Sequence, residues 1–120
     1  MKILVCGDRD WTDKELIRKE LDDWNKLFPD VEVIQGGCQG VDTIAKECCY
    51  ELGIPCKTFE ADWVKYGKSA GPIRNRQMLD EAPDLVEAYH SDISRSKGTK
   101  DCVFEANRRG IEVRIISGRD

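Results

Sequence analysis

The sequence predicts the α/β fold class: one domain with a five-stranded, mainly parallel sheet flanked by helices. Short apolar, β-branched runs recur along the chain, segments of helical period separate them, and glycine-rich turns follow several of the runs. Strands that alternate with helices of this length form βαβ units, which place parallel strands side by side. We therefore expect a Rossmann-like domain over residues 1–120.

The strands are short runs rich in valine, isoleucine and leucine. They are predicted at Lys2–Cys6, Val31–Gln35, Cys56–Phe59, Asp84–Tyr89 and Glu112–Ile116. Helix-like segments lie between these runs, so the predicted sheet is flanked by helices.

Helices are predicted between these runs. The first covers Asp13–Leu27, with Thr12 as N-cap and Glu15 completing a capping box. The others are Val41–Leu52, a helix from Ala70 or Pro72 to Glu81, and Thr99–Arg109. Glycines at 53 and 110 end the second and fourth helices. The remaining stretch, 60–69, is expected to be a long non-helical loop, and loops of that length are often functional.

Composition excludes several function classes. The chain has 19 Lys and Arg against 23 Asp and Glu, a net charge of -4, and no basic run, so we expect no general nucleic-acid binding. No apolar stretch approaches the roughly 20 residues that span a bilayer, and the opening apolar run is too short for a signal peptide. The expected protein is soluble and cytoplasmic, without a membrane partner.

The six cysteines do not indicate a metal site. None stands in a Cys-x-x-Cys pair, and the single histidine is His90. Most lie in or beside apolar segments, where a free thiol behaves as a small hydrophobic group. We expect reduced, structural cysteines, no metal and no cofactor.

Candidate ligand-binding residues follow each of the first four strands, because ligands of open parallel sheets bind beyond the carboxyl ends of the strands. After the first two strands they are Gly7, Asp8, Arg9 and Trp11, then Gly36, Gly37, Gly40 and Asp42. After the next two they are Trp63, Lys68, Gly71, Pro72, Arg74 and Asn75, then Ser91, Lys97, Gly98 and Thr99.

These residue types suit a phosphate-bearing ligand. Glycine lets the backbone approach a phosphate, a helix N-terminus presents unpaired N–H groups, and arginine donates in a fork. Asp42 would repel an anion, so we assign it to capping or to a ribose hydroxyl. Trp11 and Trp63 have two open interpretations, stacking on a base or packing on the core.

The motifs resemble a known family. They are Gly-x-Arg-Asp-Trp (7–11), Gly-Gly-x-x-Gly-x-Asp (36–42), Ala-Asp-Trp (61–63), Gly-Lys-x-Ala-Gly-Pro-x-Arg-Asn-x-x-Met (67–78) and Gly-Thr (98–99). Their order resembles the YspA-like branch of the SLOG superfamily, which also holds the LOG and DprA/Smf proteins. The resemblance implies a Rossmann-like sheet, a nucleotide or ADP-ribose-type ligand, and a homodimer or larger homo-oligomer.

LOG enzymes cleave the N-glycosidic bond of nucleoside 5′-monophosphates with an arginine and with the glutamate of Pro-Gly-Gly-x-Gly-Thr-x-x-Glu. By resemblance, Arg74 falls at the catalytic arginine, whereas Ser94-Arg95-Ser96 replaces Pro-Gly-Gly and Cys102 replaces the glutamate. An oxocarbenium-like transition state needs a nearby carboxylate, which a thiol does not supply.

Three functions therefore stay open. The first is binding, to sense or sequester a nucleotide-derived signal such as an ADP-ribose derivative or a cyclic nucleotide, for example as a phage sponge against nucleotide-signalled immunity. The second is LOG-type hydrolysis by Arg74 with Asp8, Asp62 or Asp101. The third is an interaction module, in which the loops are only caps and the aromatic residues pack against a partner.

Overall fold

The fold is an all-parallel sheet of five strands in a computed structural model, of which residues 1–118 are described. The strands are β1 Lys2–Gly7, β2 Glu32–Gln35, β3 Cys56–Thr58, β4 Leu85–Tyr89 and β5 Glu112–Ile116, in the spatial order β3-β2-β1-β4-β5. The helices are α1 Lys14–Leu27, α2 Val41–Leu52, α3 Trp63–Tyr66, α4 Ala70–Leu79 and α5 Lys97–Arg108. The predicted fold class is confirmed.

Two hydrophobic clusters cover the two faces of the sheet. Successive residues of a strand point to opposite faces, so Ile3 and Val5 of β1 pack against residues of α1 and α2. Leu4 and Cys6 pack against α4 and α5 on the other face. Within residues 1–118 no helix is long and apolar enough to cross a membrane.

Two helix starts differ from the prediction, and in each a side chain accepts one of the first free N–H groups of the helix. Asp13, rather than Thr12, caps α1 by accepting the Leu16 N–H at 3.2 Å. Ser96 caps α5 by accepting the Thr99 N–H at 3.1 Å, so the helix begins at Lys97 and not at Thr99.

The predicted long loop over 60–69 is wrong. Asp62 accepts the Lys65 N–H at 3.0 Å and starts the short helix α3. A 3-10 turn, Gly67–Ser69, then leads directly into α4. Asx capping of this kind closes a helical turn locally, without any apolar periodicity for the sequence to show. The segment between β3 and β4 is therefore mostly helical.

A buried carboxylate ties together the middle of the fold. Glu87 of β4 is fully buried and accepts hydrogen bonds from Trp24 Nε1 at 2.9 Å, Tyr89 OH at 2.9 Å and Arg114 Nη1 at 3.0 Å. Burial raises the pKa of Glu87, while the hydrogen bonds from Trp24 and Tyr89 oppose the rise. The network joins α1, β4 and β5 on one face of the sheet.

Candidate functional site

Strand order reverses between β1 and β4, and ligands of open parallel sheets are expected in the crevice at this point. In this structure a backbone contact closes the crevice. The Asp8 N–H donates to the Tyr89 carbonyl oxygen at 2.9 Å. A methyl group on Gly7 would lie 2.3 Å from the same oxygen, so only glycine permits this approach. A ligand at the carboxyl ends of the strands must therefore lie to one side of the β1–β4 crevice.

The start of α2 lies against the loop that follows β1. The Val41 N–H donates to the Asp8 carbonyl oxygen at 3.2 Å. Gly40 has a φ of 79°, and a methyl group there would lie 2.3 Å from that oxygen. The positive φ and the close approach to the Asp8 carbonyl oxygen both require glycine at position 40. Gly40 thus holds the two loops together.

Asp42 fixes the loop between β2 and α2. Its carboxylate accepts the Gly36 N–H at 3.2 Å and the Cys38 N–H at 3.1 Å. Burial raises the pKa of Asp42 to about 6, although these hydrogen bonds and the nearby Arg74 oppose the rise. The N-cap residue of α2 is Gly40, which makes no side-chain cap, so Asp42 braces the preceding loop instead of capping the helix. These two amides are not available to a phosphate.

Other amides of the same loop differ in their availability. The Gly37 N–H donates to Gln35 Oε1 at 2.6 Å. Within residues 1–118, the N–H groups of Gln39 and Gly40 have no acceptor. They immediately precede α2, where the helix dipole adds partial positive charge. An anion can therefore bind at the end of the loop.

Arg74 is the principal cation of the site and comes from α4. It is only 7 % exposed, and its Nη1 donates to the Gly36 carbonyl oxygen at 2.6 Å while its Nε donates to Asn75 Oδ1 at 3.1 Å. Its Nη2 has no partner among the described residues. Since no buried side-chain nitrogen or oxygen there lacks a partner, Nη2 is reached by solvent.

Asn75 connects α4 to α5. Its Nδ2 donates to the Gly98 carbonyl oxygen at 3.2 Å and to Asp101 Oδ2 at 3.0 Å, while its Oδ1 accepts from Arg74. Asn75 is 4 % exposed, so this amide is fully engaged in orienting the guanidinium. It therefore positions Arg74 and has no free donor for a ligand.

Two adjoining cavities lie at this edge of the sheet. The larger, about 380 Å³, is lined by Arg9, Gly36, Gly37, Cys38, Gln39, Glu60, Ala61, Trp63 and Arg74. The smaller, about 180 Å³, is lined by Glu60, Asp62, Lys65, Tyr66, Ala70, Ile73, Arg74 and Gln77. Glu60 and Arg74 line both. The larger cavity falls within the range of small-molecule sites.

The structure brings five predicted residues together in the larger cavity: Arg9, Gly36, Gly37, Trp63 and Arg74. The other candidates line neither cavity; they are Gly7, Asp8, Trp11, Gly40, Asp42, Lys68, Gly71, Pro72, Asn75, Ser91, Lys97, Gly98 and Thr99. Several of these support the site indirectly, as the contacts of Gly7, Gly40, Asp42 and Asn75 show.

The two tryptophans lie in different surroundings. Trp11 meets Tyr89 edge to face, with ring centroids 5.8 Å apart, and its Nε1 donates to the Asp13 carbonyl oxygen at 3.0 Å. Trp63 is 52 % exposed and lines the larger cavity. The geometry therefore favours core packing for Trp11 and leaves Trp63 as the flat face that is open to a ligand.

The carboxylate that shares the cavities with Arg74 is one that sequence reasoning missed. Glu60 comes two residues after the end of β3, at the carboxyl edge of the sheet. That position is a usable signal, although patterns of glycine and arginine do not include it. Cys102, at the place of the LOG glutamate, is 1 % exposed and packs in the core.

The acids considered for hydrolysis lie outside the larger cavity. Asp8 Oδ1 accepts the Asp10 N–H at 2.9 Å, Asp62 caps α3, and Asp101 accepts from Asn75. No cluster of His, Cys, Asp or Glu that could hold a metal ion occurs in the part of the chain described.

Comparison with known proteins identifies the family. Residues 1–66 match the YspA, cpYpsA-related SLOG family. Gene 61 protein of Mycobacterium phage D29 is 31 % identical over 118 residues, which cover 93 % of each chain. The chain belongs to this SLOG family. The resemblance drawn from the five motifs is thereby confirmed.

Solved structures share the fold of this SLOG chain. DNA processing protein A from Helicobacter pylori, which has a described single-stranded DNA binding mode, superposes with a TM-score of 0.73 at 18 % identity, over 99 % of this chain and 66 % of its own. TM1055 gives 0.66 at 18 % identity, over 93 % and 71 %. DprA from Streptococcus pneumoniae gives 0.55 at 14 %, over 97 % and 59 %. The chain spans about two thirds or less of the two DNA-processing proteins.

Proposed function

We propose that residues 1–120 form a single SLOG domain that binds a phosphate-bearing, nucleotide-derived ligand and holds it without turnover. One observation carries the proposal. Arg74 is almost fully buried and held by Gly36, Cys38 and Asn75, yet its Nη2 is unpaired within residues 1–118 and open to the cavities. A buried arginine with free donors is a preformed anion site.

The surrounding groups complete a site for a nucleotide. Arg9 adds a second positive charge, Gln39 brings a backbone N–H without an acceptor to the cavity wall just before α2, and Trp63 offers an aromatic surface. The guanidinium groups suit the phosphate of a nucleotide, and the Trp63 ring suits its base. Lys68, Ser91 and Lys97, which line neither cavity, would contact such a ligand only if it extended beyond them.

The biological role that we propose is sequestration of a nucleotide-derived signal, such as an ADP-ribose derivative or a cyclic nucleotide. The phage origin of the gene 61 relative supports a role in an infected bacterial cytoplasm. Such a protein lowers the free concentration of the signal by holding it, and needs no catalytic acid to do so.

The test is native mass spectrometry of the purified protein, followed by denaturing release and identification of any small molecule. We expect a nucleotide-derived molecule that stays intact on long incubation, held by a homodimer or larger oligomer. Arg74→Lys keeps the charge but loses the fork, and should release the ligand. Arg18→Lys, an exposed change on α1, is the matched control. Protein that carries and binds no nucleotide would overturn the proposal.

Hydrolysis is the second candidate, and Glu60 is the observation that favours it. Its carboxylate shares both cavities with Arg74, although it comes from a different strand end than the LOG glutamate. If the protein releases free base from a nucleoside monophosphate and Arg74→Lys does not, the function is hydrolysis of the ligand and not sequestration.

A further inference from the structure

Two opposite charges flank one pair of glycines in the floor of the larger cavity. A methyl group on Gly36 would lie 2.5 Å from Arg74 Nη1, and one on Gly37 would lie 3.3 Å from Glu60 Cγ. Consecutive Cα atoms are only about 3.8 Å apart. The guanidinium and the carboxylate therefore face neighbouring peptide units of the same loop.

These two groups do not neutralise each other. Among residues 1–118 the Glu60 carboxylate forms no ion pair, and Arg74 Nη2 has no hydrogen-bond partner. Both nevertheless line the two cavities. An ionised carboxylate only accepts hydrogen bonds, and a guanidinium only donates them. A ligand that fits between them must present an anion to one and hydrogen-bond donors, such as sugar hydroxyls, to the other.

We infer that Glu60 is a specificity residue that accepts hydrogen bonds from the free 2′ and 3′ hydroxyls of a ribose whose phosphate is bound by Arg74. This rests on the proposed function and narrows it. Nucleoside 5′-phosphates and ADP-ribose derivatives carry both groups. A sugar that lacks the 2′ hydroxyl loses one of these hydrogen bonds. A sugar whose 2′ and 3′ hydroxyls are closed by a cyclic phosphate brings a second anion against the Glu60 carboxylate.

The inference predicts opposite effects of one substitution on two ligands. Glu60→Gln removes a negative charge beside Arg74, so inorganic phosphate should bind a few-fold more tightly. The same change weakens the acceptor for the sugar hydroxyls, and hydrogen bonds to charged groups are worth roughly a factor of ten or more in affinity. The preference for ribose over deoxyribose should therefore fall about tenfold.

The experiment is calorimetric titration of the full chain with inorganic phosphate, ribose 5-phosphate and 2-deoxyribose 5-phosphate. These probes carry no base, so the result does not depend on which base the natural ligand has. Glu60→Gln is compared with wild type and with Glu112→Gln, an exposed change on β5 at the opposite edge of the sheet. Urea unfolding confirms that each variant is folded.

We expect the wild type and Glu112→Gln to bind ribose 5-phosphate more tightly than 2-deoxyribose 5-phosphate. Glu60→Gln should lose this preference and should bind inorganic phosphate more tightly than the wild type does. Equal binding of the two sugars by the wild type would overturn the role of Glu60 and leave phosphate binding intact. Binding of none of the probes would overturn the proposed function as well. Release of adenine from adenosine monophosphate that is lost in Glu60→Gln would make Glu60 a catalytic residue and overturn the inference.

Discussion

The contact between Arg74 and Gly36 can be tested by a double-mutant cycle. Gly36→Ala places a methyl group 2.5 Å from Nη1 and 2.8 Å from the central guanidinium carbon, so the guanidinium must move. Moving it breaks the hydrogen bond of 2.6 Å to the Gly36 carbonyl oxygen. A hydrogen bond to a charged group is worth about 1.5–3 kcal/mol, so Gly36→Ala should lower the free energy of unfolding by about 2 kcal/mol.

Arg74→Ala removes the same hydrogen bond together with the one to Asn75, and should cost about 3 kcal/mol or more. Once the guanidinium is absent, the methyl group on residue 36 has no clash to make. The double variant should therefore be no less stable than Arg74→Ala alone. The coupling energy between the two positions is then about 2 kcal/mol.

The assay is urea unfolding of the four proteins with a common m-value. The effect of an added methyl group on the unfolded chain cancels around the cycle, because it is present in both backgrounds. A parallel cycle with Arg108→Ala, an exposed arginine on α5, should be additive to within about 0.5 kcal/mol. Additive costs for Gly36→Ala and Arg74→Ala would refute the placement of the guanidinium.

Three further predictions follow from single sites. Gly40→Ala combines a φ of 79° with a methyl group 2.3 Å from the Asp8 carbonyl oxygen, so it should cost more than about 2 kcal/mol; an unchanged thermal midpoint would contradict the contact between the two loops. The pKa of Asp42 is raised from 3.8 to about 6, so between these two pH values the native state binds more protons than the unfolded state. The free energy of unfolding of the wild type should therefore fall by about 3 kcal/mol as the pH rises from 3.8 to about 6. Asp42→Asn keeps the acceptor without the charge, so its free energy of unfolding relative to wild type should increase from pH 4 to 7; a difference that does not vary with pH would contradict the burial of the charge. Glu87→Ala leaves the Trp24 and Tyr89 donors without their acceptor, whereas Arg114 keeps Glu20 at 3.3 Å, so the change should cost about 3 kcal/mol by chemical denaturation, with Glu87→Gln intermediate; a cost under about 1 kcal/mol would show that water replaces the carboxylate.

Local patterns were sufficient for the fold and for part of the site. The five apolar runs, each bounded by glycine or proline turns, place β1 to β5 to within a residue or two, because β-branched and other apolar residues between turn residues favour strands. Arg74 and Gly36 were selected because arginine beside glycine-rich turns suits phosphate. The residues that are held by distant partners could not be selected in the same way.

Glu60 and Trp11 illustrate two limits of local sequence patterns. An acid in a loop has the same sequence appearance whether it is solvated or faces a cavity, so Glu60 was not distinguished from its neighbours. Trp11 follows a strand end, as a stacking residue would, but the core beside Tyr89 is the nearest apolar surface. Burial of an aromatic ring depends on what packs next to it, which is a property of the assembled fold.

Residue patterns along the chain predict the fold class, the five strands, the family and an arginine beside glycine-rich loops. These features depend on periodicity, turn residues and motifs that are contiguous in sequence. The closure of the crevice between β1 and β4 at Gly7 and Tyr89, and the position of the cavity over β2 and β3, are visible only in the folded chain. They depend on backbone contacts between residues far apart in sequence, 82 positions in the case of Gly7 and Tyr89, which no local pattern encodes.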